Sequence, residues 1–153
     1  GFGDLKPLVN LCGQPLIERA MLSAAASGVD RFVIVTGYKS AILKSFLETL
    51  SVKYPWKITI VENPEFERAN GVSVLAAEPY LNEGFFLAMC DHVVDPEIYD
   101  VLHAENLPDN AVGLAVDPRL DNPDVDVEDA TKVNLDGKII REIGKDRNER
   151  TIN

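Results

Sequence analysis

The sequence is poor in positive charge and has no long apolar run. Fifteen Lys and Arg residues stand against 25 Asp and Glu residues, which gives a formal net charge of −10. A general surface for nucleic acids or anionic membranes needs a basic patch, so this balance argues against both partners. No stretch approaches the roughly 20 apolar residues that span a bilayer, and no signal segment opens the chain. We therefore expect a cytoplasmic domain that makes no membrane contact of its own.

Cysteine is equally scarce. Only Cys12 and Cys90 are present, and their spacing matches neither a metal-ligand motif nor a redox motif. Because both lie among apolar residues, we predict two inert thiols buried in the core.

The two ends of the chain are unusual for a domain of this kind. It opens on Gly1-Phe2-Gly3 without a preceding strand or an initiator Met, and it stops at Asn153 after a lysine-containing turn. Its 153 residues are enough for one domain with one core. We expect residues 1–153 to form a single domain that is truncated at both ends.

Strands and helices are predicted to alternate through most of the chain. The predicted elements are, in order, helix 15–27, strand 31–36, a helix from a Ser40 cap to about Leu50, strand 57–61, helix 71–77, buried strand 84–89, a helix from Asp95-Pro96 to about Glu105, and strand 111–116. Such alternation implies crossover connections and an α/β fold with a largely parallel sheet.

The pattern changes after residue 117. A loop rich in Pro and Asp covers residues 118–129, and Asp136-Gly137 then separates two short apolar segments, 131–135 and 138–143. An Asp-Gly pair in that setting is a strong signal for an antiparallel hairpin.

The opening segment GFGDLKPL is the first candidate site. Gly1 and Gly3 would let backbone N–H groups approach a triphosphate closely, and Lys6 would neutralise its charge. The alternative is an ordinary turn with a surface lysine.

A second candidate is the turn that opens the helix at 71–77. Its Asn70, Gly71 and Ser73 offer amide, hydroxyl and backbone N–H groups that can hydrogen-bond a base or a ribose. The alternative is a helix cap with Asn70 as the capping residue.

Asp91 directly follows the apolar segment 84–89, where open α/β sheets place their ligand crevice. A carboxylate at that point can hold Mg²⁺, which takes oxygen ligands and bridges phosphates. The alternative is an Asp that caps the following turn. His92 beside it is either a substrate contact or a structural hydrogen-bond donor.

Two further lysines, Lys132 and Lys145, lie on either side of the Asp136-Gly137 hairpin. Charges on an edge hairpin are usually solvated, and that interpretation stands beside a role in binding phosphate.

These segments, taken in order, resemble the sugar-phosphate nucleotidyltransferase family. The resemblance runs from GFG through KPLVNLCGQPLIERAM, GVDRFVIVTGY, VENPEFERANGVSVLAA and FFLAMCDH to ATKVNLDGKIIREIGKD. Within the family, the NGVSV and MCDHV segments are most similar to cytidylyltransferases that activate inositol 1-phosphate. The resemblance implies a Rossmann-like, three-layer, GT-A-like fold with helices on both faces of a mixed, mostly parallel sheet.

The resemblance also implies residue roles. Gly1 and Gly3 would belong to the glycine-rich loop around the triphosphate, and Lys6 would hold a phosphate. The other implied roles are nucleoside contacts from Asn70, Gly71 and Ser73, Mg²⁺ ligation by Asp91, and acceptor-phosphate contacts from Lys132 and Lys145. Catalysis would rest on Lys6, Asp91 and Lys145.

The implied reaction transfers a nucleoside monophosphate, CMP from CTP, to a phosphorylated small molecule such as inositol 1-phosphate and releases pyrophosphate. One alternative is a hexose-1-phosphate uridylyl- or thymidylyltransferase. Another is a non-catalytic nucleotide-binding regulatory domain of the same fold. A homo-oligomer and a fused membrane domain in the full protein are further expectations from the family.

The sequence departs from the family pattern in three places. The glycine loop of the family normally continues with an arginine, whereas Asp4-Leu5 lead straight to Lys6 here. The family also has a first strand before the loop, and a second metal-binding Asp beyond the position of Asn153. An inactive chain is therefore one expectation.

Overall fold

The computed structural model describes residues 5–119, 123, 126 and 130–144. The chain divides into two compact units, Gly1–Gly113 and Leu114–Asn153. The expectation of a single domain stays a prediction.

The first unit contains most of the helices and strands. After a 3-10 turn at Lys6–Leu8, its elements are β1 (Asn10–Leu11), β2 (Gln14–Pro15), α1 (Leu16–Ala26), β3 (Arg31–Thr36), α2 (Ser40–Lys53), β4 (Lys57–Glu62), α3 (Asn70–Ala77), a second 3-10 turn (Glu78–Tyr80) and α4 (Pro96–Ala104). All the helices expected from the sequence are present.

The centre of this unit is a parallel pair of strands. In β3 and β4, Phe32 is paired with Ile58 and Ile34 with Ile60. These four side chains pack against the buried core. Both strands are rich in β-branched residues, which suit a sheet that is covered by a helix. Their connection through α2 is the crossover that the sequence predicts.

The core lies where α1 and α2 meet this sheet. Ile17 and Met21 of α1 are buried, as are Leu43, Leu47 and Leu50 of α2. Their spacing of three and four residues places them on one face of each helix. Leu5 and Leu8 flank Lys6 in the same core, so burial fixes the backbone on both sides of that lysine.

A small hairpin follows the first 3-10 turn. Cys12 and Gly13 both have positive φ, and the Gly13 N–H donates to Asn10 Oδ1 at 2.8 Å. The turn projects Cys12 into solvent. The prediction of a buried thiol is therefore wrong for Cys12, because a two-residue turn exposes its side chains even between apolar neighbours. Cys90 is partly buried and packs against the core.

Two expected strands are not present. Residues 84–89 and 111–116 are assigned to neither helix nor strand. Phe85 and Leu87 are 53% and 68% exposed, although the apolar pattern predicted a buried strand. An extended segment becomes a strand only through backbone hydrogen bonds to a neighbour, and neither segment has a strand partner in the described part of the chain.

Ser40 does not cap α2. The N-cap is Lys39, which has a φ of 51°, and Ser40 is the first helical residue. The Ser40 hydroxyl instead donates to Glu62 Oε1 at 3.1 Å, which links the start of α2 to the end of β4.

A buried carboxylate joins α1 to the end of α2. Glu18 is only 4% exposed, and its Oε1 accepts hydrogen bonds from Lys53 Nζ and Tyr54 Oη, both at 2.7 Å. Burial alone would raise the pKa of Glu18, but these two donors and the lysine charge outweigh it, so the pKa lies below its ordinary value.

The second unit contains the predicted hairpin. Its strands are β5 (Lys132–Asp136) and β6 (Ile139–Gly144), which are antiparallel with a bulge at Asn134/Leu135. Gly137 in the turn has a φ of 60°, a conformation that favours glycine. Asp136 and Arg141 form an ion pair at 2.6 Å on its exposed surface.

Across the described residues, no helix combines the length and apolar character needed to cross a membrane.

Candidate functional site

Two residues selected from the sequence meet in an ion pair. Lys6 Nζ lies 3.9 Å from Asp91 Oδ2, although 85 positions separate them in the chain. The Lys6 side chain is 83% exposed and that of Asp91 is 34% exposed, so both charged groups are accessible to a ligand. A lysine and a carboxylate at this distance can bind the phosphates and the metal of one nucleotide–metal complex.

A tight turn holds Asp91 in place. The His92 N–H donates to the Met89 carbonyl at 3.1 Å, and His92 Nδ1 lies 3.0 Å from Asp91 Oδ1. The two carboxylate oxygens of Asp91 therefore face different partners, His92 on one side and Lys6 on the other. Burial raises the pKa of the adjacent Cys90 thiol, and the negative charge of Asp91 raises it further.

Helix α1 supports the segment that follows this turn. The Ser23 hydroxyl donates to the Val94 carbonyl, and the Ser27 hydroxyl donates to the Pro96 carbonyl at 2.8 Å. Asp95 then caps α4 by accepting from the Glu97 N–H at 3.0 Å. Hydrogen bonds therefore hold residues 94–97, which begin three positions after Asp91.

The second candidate group lies in the first turn of α3. The helix begins at Asn70, and the N-cap is Ala69, whose side chain has no hydrogen-bonding atom. Asn70 is therefore not the cap, and its exposed amide is left available to a ligand. A Cβ added at Gly71 would meet no atom within 4 Å, so the space above this backbone is open.

Asn63 ties this helix to the sheet, and the sequence analysis missed it. It directly follows β4, is only 2% exposed, and its Nδ2 donates to Ser73 Oγ at 3.0 Å. The signal that could have revealed it is the one that selected Asp91, a polar side chain directly after an apolar segment that is predicted to be a strand.

Two exposed aromatic rings lie beyond the C-terminal ends of β3 and β4. Tyr38, which follows β3, and Phe66, which follows β4, have ring centroids 6.4 Å apart. Phe66 lies directly against the Cα of Gly37, where a Cβ would collide with its ring. Glycine at this position is required by the close approach of that ring.

The remaining candidates fall elsewhere. Gly1, Gly3 and Lys145 lie outside the described residues. Lys132 is partly buried at the start of β5 in the second unit. The structure therefore brings together Lys6 with Asp91, and separately Asn70, Gly71 and Ser73. Within the described part of the chain, no hydrogen bond or ion pair joins these two groups directly.

Comparison with known proteins then decides the family. The profile of the MobA-like NTP transferase domain matches residues 2–123, which include both groups. The chain belongs to this family.

Curated relatives are similar to this chain over nearly its whole length. A protein named bifunctional IPC transferase and DIPP synthase from Rubrobacter xylanophilus is 32% identical over 95% of this NTP transferase chain. A protein of the same name from Archaeoglobus fulgidus is 29% identical over 96% of the chain. The chain spans only 33% and 27% of the lengths of these two relatives.

A solved structure gives the same result for the fold. The inositol-1-phosphate CTP transferase from T. maritima matches with a TM-score of 0.74 at 27% identity, over 94% of this chain and 56% of that protein. The Rossmann-like nucleotidyltransferase fold expected from the sequence is confirmed, with a parallel strand pair and antiparallel hairpins.

The residues of this NTP transferase domain fit one type of metal site. No cluster of three or more His, Cys, Asp or Glu side chains lies within the described ranges. A closed, all-protein metal cage is therefore not built by these residues. Mg²⁺ in nucleotide sites, however, usually takes one or two carboxylates and completes its coordination with phosphates and water. The accessible carboxylate of Asp91 beside Lys6 suits that arrangement.

Proposed function

We propose that this domain transfers CMP from CTP to inositol 1-phosphate or a closely related phosphorylated polyol and releases pyrophosphate. The observation that supports this most directly is the Lys6–Asp91 ion pair, which joins a phosphate-binding type of residue to a metal-binding type in a member of the NTP transferase family. The choice of CTP and inositol 1-phosphate rests on the names of the relatives and of the solved structure.

The reaction would proceed by direct displacement. A phosphate oxygen of the acceptor attacks the α-phosphorus of CTP, a new P–O bond forms, and the bond to the β-phosphate bridging oxygen breaks. Pyrophosphate leaves with the electron pair of that bond. Because the attacking phosphate is already ionised, no general base is needed, and catalysis rests on positioning and on neutralising charge.

Each residue has a proposed part in this displacement. Lys6 binds the triphosphate, while Asn70, Gly71 and Ser73 contact the nucleoside. Asp91 would hold Mg²⁺, which when bound would offset the negative charge on the phosphates. Gly1 and Gly3 would contribute backbone N–H groups to the triphosphate loop, and Lys132 and Lys145 would bind the acceptor phosphate. The cytoplasmic location expected from the sequence stays a prediction.

One further assignment has specific support. Mannose-1-phosphate guanylyltransferase 1 from Arabidopsis thaliana is 28% identical over 63% of this chain. A hexose 1-phosphate acceptor with another nucleoside triphosphate is thus the second candidate. The two assignments differ in the base, and buried hydrogen-bonding groups discriminate strongly between such substrates.

The deciding experiment measures pyrophosphate release from the full chain with Mg²⁺. Each of CTP, UTP, dTTP, ATP and GTP is paired with inositol 1-phosphate, choline phosphate, glucose 1-phosphate or mannose 1-phosphate. Release with CTP and inositol 1-phosphate above all other pairs supports the proposal. Preference for a hexose 1-phosphate would replace it with the second candidate.

Variants of the ion pair test the site itself. Asp91→Asn should lower kcat/KM by about 100-fold or more, since it replaces the charged carboxylate that would hold the metal with a neutral amide. Asp100→Asn, which changes an exposed carboxylate on α4, is the matched control and should leave the rate unchanged. Nucleotide binding that is unaltered in Asp91→Asn and requires no Mg²⁺ would instead indicate a non-catalytic nucleotide-binding domain.

A further inference from the structure

Asn63 forms one hydrogen bond within its own turn and two more to other elements, β3 and α3. We propose that Asn63 is a positioning residue, which fixes the first turn of α3 and orients the Ser73 hydroxyl to donate to an acceptor atom of the bound nucleoside. The identity of the ligand rests on the proposed function. The positioning of α3 and Ser73 rests on the hydrogen bonds of Asn63.

Three hydrogen bonds converge on this one side chain and its backbone. The Asn63 N–H donates to the Thr36 carbonyl at 2.8 Å, which ties it to the end of β3. Its Oδ1 accepts from the Glu65 N–H at 2.9 Å, and its Nδ2 donates to Ser73 Oγ at 3.0 Å. Asn63 therefore connects the sheet, the following turn and α3.

Because Asn63 is buried, it cannot contact the nucleotide directly. Asn63 is only 2% exposed, so its amide has no surface on which a nucleotide could rest. A buried amide is unfavourable unless its polar atoms are paired, and here both ends of the side chain have partners. Ser73 is only partly buried and is the member of the pair that can reach a ligand.

The direction of the bond determines what Ser73 offers. Because Asn63 Nδ2 has hydrogens and no lone pair to accept with, it must be the donor, and Ser73 Oγ must be the acceptor. The hydroxyl hydrogen of Ser73 is not used in this bond. Ser73 is thereby set to donate toward a ligand acceptor, such as a ribose oxygen or a ring nitrogen or carbonyl of the base.

Among the residues that the structure describes, no other side chain forms a hydrogen bond with the start of α3. Ala69 at the N-cap supplies no side-chain hydrogen bond. The bond from Asn63 is not a cap, because it reaches the Ser73 side chain and no backbone N–H, but it ties the turn that contains Asn70 and Gly71 to the end of β4. Loss of that bond should loosen the first turn of α3 without unfolding the core, which lies at α1 and α2.

The test uses Asn63→Ala, Ser73→Ala and the double variant of the full chain. Each single variant should weaken CTP binding by about tenfold, which is the size expected for losing one oriented hydrogen bond. The double variant should bind no more weakly than the weaker single variant, because both changes remove the same contact. Losses that multiply in the double variant would overturn the proposal.

Thr36→Val is the matched control. Thr36 is also buried at the end of β3, and its hydroxyl donates to the Val61 carbonyl at 3.3 Å. Valine removes that bond but keeps the Thr36 carbonyl that accepts from the Asn63 N–H. This variant should lose stability to a similar extent while keeping the affinity for CTP. An equal loss of affinity in Thr36→Val would mean that general destabilisation explains the effect, and it would overturn the positioning role.

Amide hydrogen exchange separates this inference from the proposed function. In the ligand-free chain, the hydrogen-bonded amides of α3, residues 72–77, should exchange faster in Asn63→Ala than in the wild type or in Thr36→Val. Unchanged exchange would overturn the positioning role even if CTP is the substrate. Faster exchange with no binding of any nucleoside triphosphate to the wild type would support the role of Asn63 and refute the proposed function. If Asn63→Ala does not fold, Ser73→Ala gives the same exchange test, because it removes the acceptor of the same hydrogen bond at a partly exposed residue.

Discussion

Gly71 in the first turn of α3 offers a test in which stability and binding change in opposite directions. Its added Cβ would meet no atom within 4 Å, and its φ is not positive. Gly71→Ala should therefore stabilise the helix by about 0.5–1 kcal/mol, because alanine has the higher helix propensity. If the nucleoside approaches this backbone as proposed, the methyl group should weaken CTP binding.

Thermal unfolding and a CTP titration of the same variant check both parts of that prediction. Gly84→Ala is the control, since Gly84 also has open space around it and lies outside α3. A Gly71→Ala chain that is stabilised and binds CTP as tightly as the wild type would show that the ligand does not approach Gly71.

The two cysteines should differ strongly in reactivity. Cys12 is exposed in a turn, whereas Cys90 is partly buried and its pKa is raised, first by burial and then by Asp91. Because the thiolate is the reacting form, Cys12 should react with a disulfide reagent at neutral pH faster by about tenfold or more. Single Cys12→Ser and Cys90→Ser variants assign the two rates. Equal rates would contradict the burial of Cys90.

At the scale of elements, the buried Glu18 connects α1 to α2 and should make stability depend on pH. Glu18→Gln keeps an acceptor for Tyr54 Oη but removes the charge that Lys53 Nζ meets at 2.7 Å. We expect it to lower the free energy of unfolding by about 1 kcal/mol near neutral pH, a modest value because the lysine is largely exposed.

The direction of the pH dependence follows from the two shifts. The pKa of Glu18 is lowered in the folded state, so its contribution is present above the ordinary value of 4.5 and is lost as the pH falls through the lowered value. The pKa of Lys53 is raised, so its contribution lasts to the ordinary value of 10.5 and is lost as the pH rises further.

Urea unfolding over a pH series measures this effect. The stability difference between the wild type and Glu18→Gln should be largest near neutral pH and should shrink below pH 4.5. Glu48→Gln, an exposed change on α2, is the control and should show no such trend. A difference that persists in acid would mean that Glu18 is not charged in the folded protein.

Element types were predicted well where a segment supplies its own hydrogen bonds. Each helix satisfies its backbone internally, so the apolar period and the Asp95-Pro96 cap were enough to place α1 and α4. The segments 84–89 and 111–116 have the apolar content of strands but no strand partner among the described residues. Strand pairing is a non-local property, and composition does not report it.

At the scale of the whole molecule, the net charge of −10 limits the range of anionic partners. Binding of CTP with Mg²⁺ needs only a local lysine such as Lys6, whereas a nucleic acid needs an extended basic surface. We expect no retention of duplex DNA or single-stranded RNA at physiological salt under conditions in which CTP binds. A filter-binding assay with all three ligands checks this. Salt-dependent retention of DNA would contradict it.

The sequence by itself determined the helices, the β3–β4 crossover and the choice of Lys6 and Asp91 as candidate residues, and the resemblance of its segments to known proteins indicated the family. The helices and the crossover depend on local periodicity. Only the tertiary structure decided that Lys6 meets Asp91, that Cys12 is exposed, and that Asn63 is bonded to Ser73. The two contacts join segments that are distant in the chain, and the exposure of Cys12 depends on the course of a turn. The folding of the chain sets these features, and residue type alone does not.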